Sequence, residues 1–405
     1  MDGFLQRFGV YETKIKQAIT NRDIIWFHAV SVGEVNICTQ LIRALEPKLP
    51  NIKIIVSTTT TTGMGELNKK LPSHITKIYY PIDRRKYVTR ALSTMHPKAI
   101  ILVEAEIWPN FIWRAQERGS PLFLVNARLS DRSYRGYKRF GRLFKPLFAS
   151  FTGVGAQTEA DAAKLRELGF RPEAINIVGS LKFDAAKIHE RRVVHVDKLM
   201  KQVGAPDNVQ LLVAGSTHTG EEAILAELFL RLKTKFSNLF LVIVPRHFER
   251  SRDVGRDLTA KGLNFFYRSE IGTQTLLRPG EVDCLLVNTT GELKYFYEDA
   301  AVVFVGKSLT ANGGQNPIEP AAMGKPVVFG PNMQNFADAV RGLLATDGAV
   351  QVRDAVELEK VIGELLASPA RCAQLGENAQ KYVQGNLGAI DRTVEMIVKT
   401  ISAKG

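Results

Sequence analysis

The sequence predicts an α/β protein built from two doubly wound, Rossmann-like domains. Short apolar runs alternate along the chain with helical patterns. Within these runs, apolar and polar residues do not alternate as they would in a half-exposed strand, which is typical of parallel sheets buried on both faces. A polar, charged span at about 184–208 interrupts this pattern, which then starts again. At 405 residues, the chain is also too long for one ordinary hydrophobic core. Two successive strand sets therefore predict two doubly wound domains with a cleft between them.

The first domain is predicted over residues 1–190. Its strands are expected at Ile24–His28, Ile52–Ser57, Ile78–Tyr80, Ala99–Val103, Leu122–Asn126, Gly153–Ala156 and Ile175–Val178. Helical patterns lie between these runs, for example at Val35–Leu45 and at Glu159–Leu168, where Gly169 follows as a typical C-terminal residue. A helix between successive strands predicts parallel pairing.

The second domain is predicted over residues 191–385. Its strands are expected at Leu211–Ala214, Leu239–Val244, Asn264–Phe266, Cys284–Val287, Ala301–Val305 and Val327–Phe329. A helical stretch follows at about 370–403. We predict that a C-terminal helix within 386–405 returns to the first domain.

Composition excludes several classes of protein. Hydrophobic residues make up 45% and charged residues 23% of the chain, as in soluble globular proteins. Three cysteines without metal-like spacing argue for a reducing compartment and against a disulfide framework. No window approaches 18 uninterrupted apolar residues, and the charged N-terminal segment does not resemble a signal peptide. We therefore expect a cytoplasmic protein.

Positive charge is concentrated in the first half. Residues 1–190 carry 29 Lys and Arg against 17 Asp and Glu, a net of +12, whereas residues 191–405 have a net of +1. The densest part, Arg128 to Lys145, is interleaved with aromatic residues. Such a stretch suits an anionic membrane surface or nucleic acid. A solvated helix whose aromatic residues face the core explains the same spacing.

The segment FVGKSLTANGGQNPIEPAAMGKPVVFG, residues 304–330, carries the strongest functional signal. A strand that runs into a glycine-rich loop and then a helix presents backbone N–H groups to phosphate. Glu319 at the start of the helix suits the two hydroxyls of a ribose. An ordinary crossover with tightly packed glycines would explain the glycines alone. The candidate ligand-binding residues of this loop are Lys307, Ser308, Gly313, Gly314, Asn316 and Glu319.

Three more polar loops follow predicted strands of the second domain. They contain Ser216 and His218, then Arg246 and His247, then Thr290, Gly291 and Glu292. Because the carboxyl ends of parallel strands share one edge of a sheet, all four loops are expected along that edge, where open α/β sheets bind ligands. Helix capping could explain any one of them.

The first domain supplies a candidate catalytic group. Its first predicted strand leads into Ser31, Gly33 and Glu34, at the start of a helix. A carboxylate there could act as general base toward a sugar hydroxyl, or could simply cap the helix. Polar residues after later strands suit an acceptor with phosphate or carboxylate groups: Glu104, Glu106, Trp108, Asn126 and Arg128.

These residues occur in the order HAVSVGE from His28, EAEIWPN from Glu104, NARLS from Asn126, PRH from Pro245, TGEL from Thr290 and GGQNPIEP from Gly313. In this order the chain resembles the Kdo transferases of lipopolysaccharide synthesis over about residues 7–390. The resemblance implies a GT-B glycosyltransferase that moves Kdo (3-deoxy-D-manno-oct-2-ulosonic acid) from CMP-Kdo to the lipid A precursor. It implies inversion, no metal ion and no cofactor beside the donor. Glu34 would be the catalytic base, and the PRH, TGEL and GGxNxxEP segments would form the CMP site.

The chain departs from the family pattern at two positions and leaves other functions open. Lys307 stands where the family usually has glycine, and Gln315 where it usually has histidine. The membrane anchor common in the family is not seen ahead of Arg7. Either the chain starts late, or the basic surface alone docks the protein peripherally on the cytoplasmic face of the inner membrane. Nucleic acid is not expected as a partner. A UDP-sugar transferase or epimerase, and a non-catalytic basic membrane- or nucleic-acid-binding protein, remain the alternatives.

Overall fold

A computed structural model describes residues 3–104, 106–184 and 194–402. The chain divides into two compact units, residues 1–185 with 386–405 (unit 1) and residues 186–385 (unit 2). Each unit has a seven-stranded parallel sheet, which confirms the predicted fold class of two Rossmann-like domains. The domain boundary predicted between residues 190 and 191 lies outside the described residues.

The sheet of unit 1 is ordered β3-β2-β1-β4-β5-β6-β7. Its strands are β1 Asp23–His28, β2 Ile52–Thr58, β3 Thr76–Tyr79, β4 Pro97–Val103, β5 Leu122–Ala127, β6 Gly153–Ala156 and β7 Ile175–Ile177. All pair in parallel; Trp26, for example, is in register with Ile55 on one side and Ile100 on the other. The chain moves outward from β1 to β3 and then crosses back to β4, so the order reverses between β1 and β4. Loops at such a switch point form ligand sites in α/β sheets.

Helices connect these strands. They are α1 Thr13–Ile19, α2 Val32–Leu45, α3 Thr61–Lys70, α4 Arg85–Met95, α5 Pro109–Glu117, α6 Asp131–Arg139, α7 Gly141–Ala149, α8 Glu159–Leu168 and the short α9 Leu181–Asp184. β1 shows why the strand sequences lack polar alternation. Ile24 and Trp26 pack into the core on one face of the sheet, whereas Ile25 and Phe27 pack into the core on the other. Both faces are covered, so both sets of side chains are apolar.

The sheet of unit 2 is ordered β10-β11-β9-β8-β12-β13-β14. Its strands are β8 Gln210–Thr217, β9 Leu239–Pro245, β10 Phe265–Tyr267, β11 Cys284–Leu286, β12 Val302–Val305, β13 Val327–Phe329 and β14 Ala349–Gln351. The prediction omitted β14, which is an edge strand of three residues paired to β13. Its sequence, Ala-Val-Gln, lacks the continuous apolar run that marks the other three-residue strands of this sheet. The order reverses between β8 and β12.

The helices of unit 2 are α10 Val196–Gln202, α11 Glu221–Lys233, α12 Ser251–Ala260, α13 Leu293–Asp299, α14 Ile318–Ala322, α15 Ala337–Ala345, α16 Ala355–Ala367 and α17 Pro369–Gly385. The helical stretch predicted at 370–403 is two helices, since α17 ends at Gly385 and α18, Ala389–Ser402, belongs to unit 1. Gly388 between them has φ 88°, which no helix contains. Val394, Ile397 and Ile401 of α18 join the core beside α2, confirming the predicted return of the C-terminal helix.

Candidate active site

Glu34 lies in the first turn of α2, directly after β1. Ser31 caps this helix: its Oγ accepts the N–H of Glu34 at 3.2 Å and donates to Glu34 Oε1 at 2.8 Å. The other carboxylate oxygen, Oε2, accepts the N–H of Val30 at 2.9 Å. The loop is thus a variant of the capping box, in which a glutamate three residues after the capping residue reaches back over the helix end. The capping role considered from the sequence is present.

The electrostatic surroundings of Glu34 differ from those of an ordinary cap. Burial raises the pKa of Glu34 to about 7, opposed by the hydrogen bonds from Val30 and Ser31 and reinforced by the negative charges of Glu106 and Glu104. A helix cap needs no such shift, whereas a general base is most effective when its pKa is close to the working pH. The carboxylate of Glu34 can therefore cap α2 and still take a proton near neutral pH.

Glu106 and Trp108 follow β4, on the other side of the switch point. The indole Nε1 of Trp108 donates to Glu106 Oε2 at 2.8 Å. His28, the last residue of β1, is fully buried and places its Nε2 3.6 Å from the same oxygen. The imidazole stacks on the ring of Tyr80 with 3.7 Å between centroids. Two neighbouring strands and their loops therefore hold the carboxylate of Glu106 in one orientation.

Glu104 and Asn126 form a second pair at the same edge. Both have positive φ, 60° and 54°, a conformation that costs energy for residues other than glycine and often marks functional sites. Asn126 is completely buried; its Nδ2 donates to Glu104 Oε1 at 3.2 Å and its Oδ1 accepts the N–H of Leu181 at 3.1 Å. Lys182 Nζ is 3.7 Å from Glu104 Oε1. The side chain of Asn126 thus orients Glu104. The contact predicted between Asn126 and the substrate stays a prediction.

The basic, aromatic segment forms α6 and α7. Tyr134, Tyr137 and Phe144 pack against the core, as the solvated-helix interpretation required. The opposite face is basic and exposed, with Arg132, Arg135, Lys138, Arg139, Arg142 and Lys145. Phe140 and Leu143 are also exposed, to 58% and 56%. Core packing therefore explains part of the aromatic content but neither of these two side chains.

Unit 2 brings its four predicted loops to one edge. They follow β11, β9, β8 and β12, which are neighbours in the sheet in that order. Ser216, the second-to-last residue of β8, and Lys307, after β12, both have positive φ, 56° and 57°. Gly306 is required there, because a side chain on it would lie 2.5 Å from the carbonyl oxygen of Ser216. The two loops that flank the switch point are therefore in direct backbone contact.

The glycine-rich loop after β12 directs backbone N–H groups toward a buried side chain of its own unit. Glu221, in the first turn of α11, is fully buried, and its carboxylate accepts N–H groups of Lys307, Ser308 and Leu309 at 2.7, 2.8 and 3.0 Å. The N–H groups of Gly313, Gly314 and Gln315 donate to Gln334 Oε1, Lys307 O and Gly306 O. Because these six N–H groups already have partners, a phosphate bound next to residues 307–309 or 313–315 would depend on side chains.

Cationic and imidazole side chains stand beside that loop. In the described part of the chain, the side chains of Arg246 and Lys307 form no hydrogen bond or ion pair. The rings of His218 and His247 meet edge to face with centroids 5.9 Å apart. Burial lowers the pKa of His218, and the nearby Lys307 and His247 add to the effect, against the hydrogen bond to Ser216 O and the charge of Glu221. Arg246 and Lys307 are thus available to an anionic ligand.

The remaining predicted residues of unit 2 have defined partners. Glu292 receives two hydrogen bonds from the guanidinium of Arg268, at 2.9 and 3.1 Å, which ties the loop after β11 to the end of β10. Asn316 donates through Nδ2 to Glu319 Oε1 at 3.1 Å and accepts the N–H of Ile318 through Oδ1. Thr290 and Gly291 are exposed. The geometry gives Glu292 a structural role beside its predicted place in the CMP site.

Sequence reasoning assigned no role to His28, Tyr80, Lys182 or Glu221. His28 lies inside the HAVSVGE motif, and Glu221 follows Gly220 at a predicted helix start. An acid in the position of Glu221 ordinarily indicates only a favourable contact with the helix dipole. Three of the four N–H groups that Glu221 accepts are 86 to 88 residues away in sequence, so no local pattern could identify those three.

Two doubly wound units, each with polar loops at the switch point of a seven-stranded parallel sheet, define the GT-B fold class. The fold is shared with the UDP-GlcNAc 2-epimerase of Neisseria meningitidis bound to UDP-GlcNAc, with a TM-score of 0.64 and 15% identity over 93% of this chain and 100% of that one. The family described as "3-Deoxy-D-manno-octulosonic-acid transferase (kdotransferase)" matches residues 2–185.

Two curated relatives extend this match over most of the chain. The 3-deoxy-D-manno-octulosonic acid transferases of Haemophilus influenzae and Bordetella pertussis are 32% and 33% identical, each over 92% of this chain and 86% of the relative. The chain belongs to the Kdo transferase family, and it is a glycosyltransferase. The resemblance drawn from the motifs is confirmed.

Proposed function

We propose that the protein transfers Kdo from CMP-Kdo to a lipid A precursor, lipid IVA, with inversion at the anomeric carbon and without a metal ion. The observation that carries the proposal is Glu34, a carboxylate with a pKa of about 7 at the switch point of unit 1, in a chain of the Kdo transferase family. Curated relatives that match most of the chain are named 3-deoxy-D-manno-octulosonic acid transferases, which supports the transfer of Kdo.

Glu34 is proposed as the general base. One of its carboxylate oxygens takes the proton of the acceptor hydroxyl as the hydroxyl oxygen forms its bond to the anomeric carbon of Kdo. The bond between that carbon and the phosphate oxygen of CMP breaks, and the electron pair leaves with CMP. Attack on the face opposite the leaving group inverts the configuration. Glu104 and Glu106 raise the pKa of Glu34 by their charge and are proposed to contact the acceptor.

Unit 2 is proposed to hold CMP-Kdo. The phosphate and the Kdo carboxylate are anions, and Arg246 and Lys307 are cations whose side chains are not engaged elsewhere among the described residues. They would stabilise the negative charge that develops on the leaving phosphate. Glu319, oriented by Asn316, is proposed to accept hydrogen bonds from the ribose hydroxyls. Lys307, which departs from the family pattern, would then be a donor-binding residue of this protein.

The acceptor is proposed to be met at a membrane surface. The exposed cations of α6 and α7 surround Phe140 and Leu143, a combination that suits an anionic bilayer on the cytoplasmic face of the inner membrane. Within the described residues, no helix is both long and apolar enough to cross a membrane. Docking by these helices would accordingly be peripheral.

The test is incubation with CMP-Kdo and lipid IVA, followed by mass spectrometry of the lipid. A product heavier by one or more Kdo units supports the proposal; unchanged lipid, with product formed instead from a UDP-sugar, would establish the alternative. Calorimetry separates the two donors independently, because CMP is expected to bind and UDP is not. The epimerase-like fold alone does not favour UDP, since one fold serves many ligands.

A further inference from the structure

Glu221 carries a carboxylate that the proposed reaction does not use. It is the first residue of α11 and is fully buried. Oε2 accepts N–H groups from His218 at 2.9 Å and from Lys307 at 2.7 Å, and Oε1 accepts N–H groups from Ser308 at 2.8 Å and Leu309 at 3.0 Å. Four backbone donors on one carboxylate resemble the N–H nests with which proteins bind free anions.

These donors come from both sides of the switch point of unit 2. His218 lies in the loop after β8, whereas the other three follow β12. Ser308 also fixes the loop after β12: its Oγ donates to Val305 O at 2.6 Å and accepts the N–H of Gly330 at 2.9 Å. Lys307 adopts φ 57° at this point. Such a backbone persists only when its surroundings determine it, and the Glu221 carboxylate binds the N–H of Lys307 itself.

We propose that Glu221 is a positioning residue that substitutes for a bound anion inside the donor loop. Its carboxylate fills the nest of N–H groups, fixes the left-handed backbone of Lys307 and so directs that side chain before any donor arrives. The donor phosphate then binds to side chains rather than to the loop N–H groups. Preorganisation of this kind raises affinity because less ordering remains to be done on binding. The inference rests on the proposed function for the role of the loop, but not for its structure.

Glu222 provides a matched control. It is equally buried, but its carboxylate accepts the hydroxyl of Thr217 at 2.9 Å and the guanidinium of Arg250 at 3.1 Å. None of the N–H groups at residues 307–309 donates to it. Changes at Glu221 and Glu222 therefore each remove a fully buried carboxylate. Only the change at Glu221 removes the carboxylate that accepts the N–H groups of the loop after β12.

The experiment compares Glu221→Ala, Glu221→Gln and Glu222→Gln by CMP calorimetry and thermal unfolding, with and without sodium formate. Glu221→Ala leaves four N–H donors around a space that formate can enter. We expect CMP affinity to fall at least tenfold in Glu221→Ala and formate to restore most of it, together with the melting temperature. In Glu221→Gln, whose amide presents N–H groups to two donors, we expect a loss that formate does not repair. Glu222→Gln is expected to keep its CMP affinity, unaffected by formate.

Two results would overturn the inference. One is a folded Glu221→Ala variant that binds CMP within twofold of the wild type. The other is restoration by sodium chloride equal to that by formate, since a general salt effect needs no carboxylate-shaped site. Should Glu221→Ala not fold, amide hydrogen exchange of the wild type decides: the N–H groups of residues 307–309 must be protected without ligand, and fast exchange refutes the nest. Exchange and formate-dependent melting do not involve CMP, so they remain decisive even if the wild type fails to bind CMP.

Discussion

Glu34 shows how one side chain can serve structure and chemistry together. Its hydrogen bonds to Ser31 and Val30 hold the start of α2, and they favour the ionised form of the carboxylate. Burial acts in the opposite direction and prevails, so the pKa rises to about 7. A buried carboxyl group is therefore poised to exchange a proton at physiological pH without leaving its place in the loop.

The first prediction follows from this pKa. Glu34→Gln keeps the size of the side chain but cannot take a proton, so transfer should fall by about 10² or more. CMP affinity, which we assign to unit 2 in the proposed function, should not change. In the wild type, the rate of the chemical step should rise with pH and level off above a midpoint near 7, because the carboxyl must lose its proton before it can act as a base. The residual rate of Glu34→Gln should lack this midpoint. A midpoint that persists in the variant would assign the titration to another group.

The second prediction concerns Glu319. If its carboxylate binds the ribose hydroxyls, Glu319→Ala should weaken CMP binding by about 1.5–3 kcal/mol, the range for hydrogen bonds to a charged group. Binding of 2′,3′-dideoxy-CMP should change little, because it lacks the hydroxyls. Asn316→Ala, which removes the amide that orients Glu319, should cause a smaller loss with the same dependence on hydroxyls. Equal losses for both nucleotides would make Glu319 a structural residue.

At the scale of single elements, α6 and α7 carry the third prediction. Arg135, Lys138, Arg139 and Arg142 are exposed on these helices, and each basic side chain near an anionic bilayer contributes roughly 1 kcal/mol within a Debye length. Changing all four to Gln should abolish sedimentation with anionic vesicles and reduce transfer to acceptor in bilayers. Transfer to detergent-dispersed acceptor should persist.

The control removes the same charge from unit 2. Four cations there are 79%, 78%, 73% and 68% exposed: Arg256, Arg341, Lys360 and Lys381. Changing these to Gln should leave vesicle binding as it is. If both fourfold variants lose vesicle binding equally, net charge rather than α6 and α7 governs docking. If the α6–α7 variant loses transfer to both forms of acceptor, the helices belong to the acceptor site.

The fourth prediction concerns the start of α18. Asp184 accepts the N–H groups of Gly388 at 2.8 Å and Ile390 at 3.1 Å, and so caps this helix from about 200 residues away. Asp184→Ala should destabilise unit 1 by about 1 kcal/mol, the usual loss for such a cap. Native-state hydrogen exchange should show faster exchange in α18 and β6. Asp354→Ala, which removes the cap of α16, should act on unit 2 instead. Equal effects of Asp184→Ala on both units would contradict this account.

At the scale of the whole molecule, the proposed mechanism assigns the stabilisation of the leaving phosphate to the side chains of Arg246 and Lys307. Among the described residues, no group of three or more His, Cys, Asp and Glu side chains is arranged to hold a metal ion. The fifth prediction is that transfer continues at an undiminished rate in excess EDTA. Arg246→Ala or Lys307→Ala should lower the transfer rate, because each removes a cation proposed to stabilise the leaving phosphate. A loss of activity in EDTA that Mg²⁺ restores would refute the metal-independent mechanism.

The sequence by itself determined the fold class and the location of the site loops. Fully buried parallel strands need continuous apolar runs, and the loops after them carry polar residues in local motifs, so both can be recognised without a structure. Ser31 and Glu34 are three residues apart, and their capping relation is legible from that spacing. β14 was missed because its sequence, Ala-Val-Gln, lacks the continuous apolar run of the other strands in the sheet of unit 2.

Only the tertiary structure decided how the polar groups are used. The loop N–H groups predicted to meet phosphate donate instead to Glu221, and Glu292 is paired with Arg268. The raised pKa of Glu34 depends on burial and on two acids from another strand. These outcomes have one physical reason: hydrogen bonding, burial and charge repulsion depend on distances in space, not in sequence. Glu292 and Arg268 are 24 residues apart in sequence, and Glu221 and Ser308 are 87 residues apart. Local motifs therefore identify candidate site residues, and folding determines which contacts those residues make.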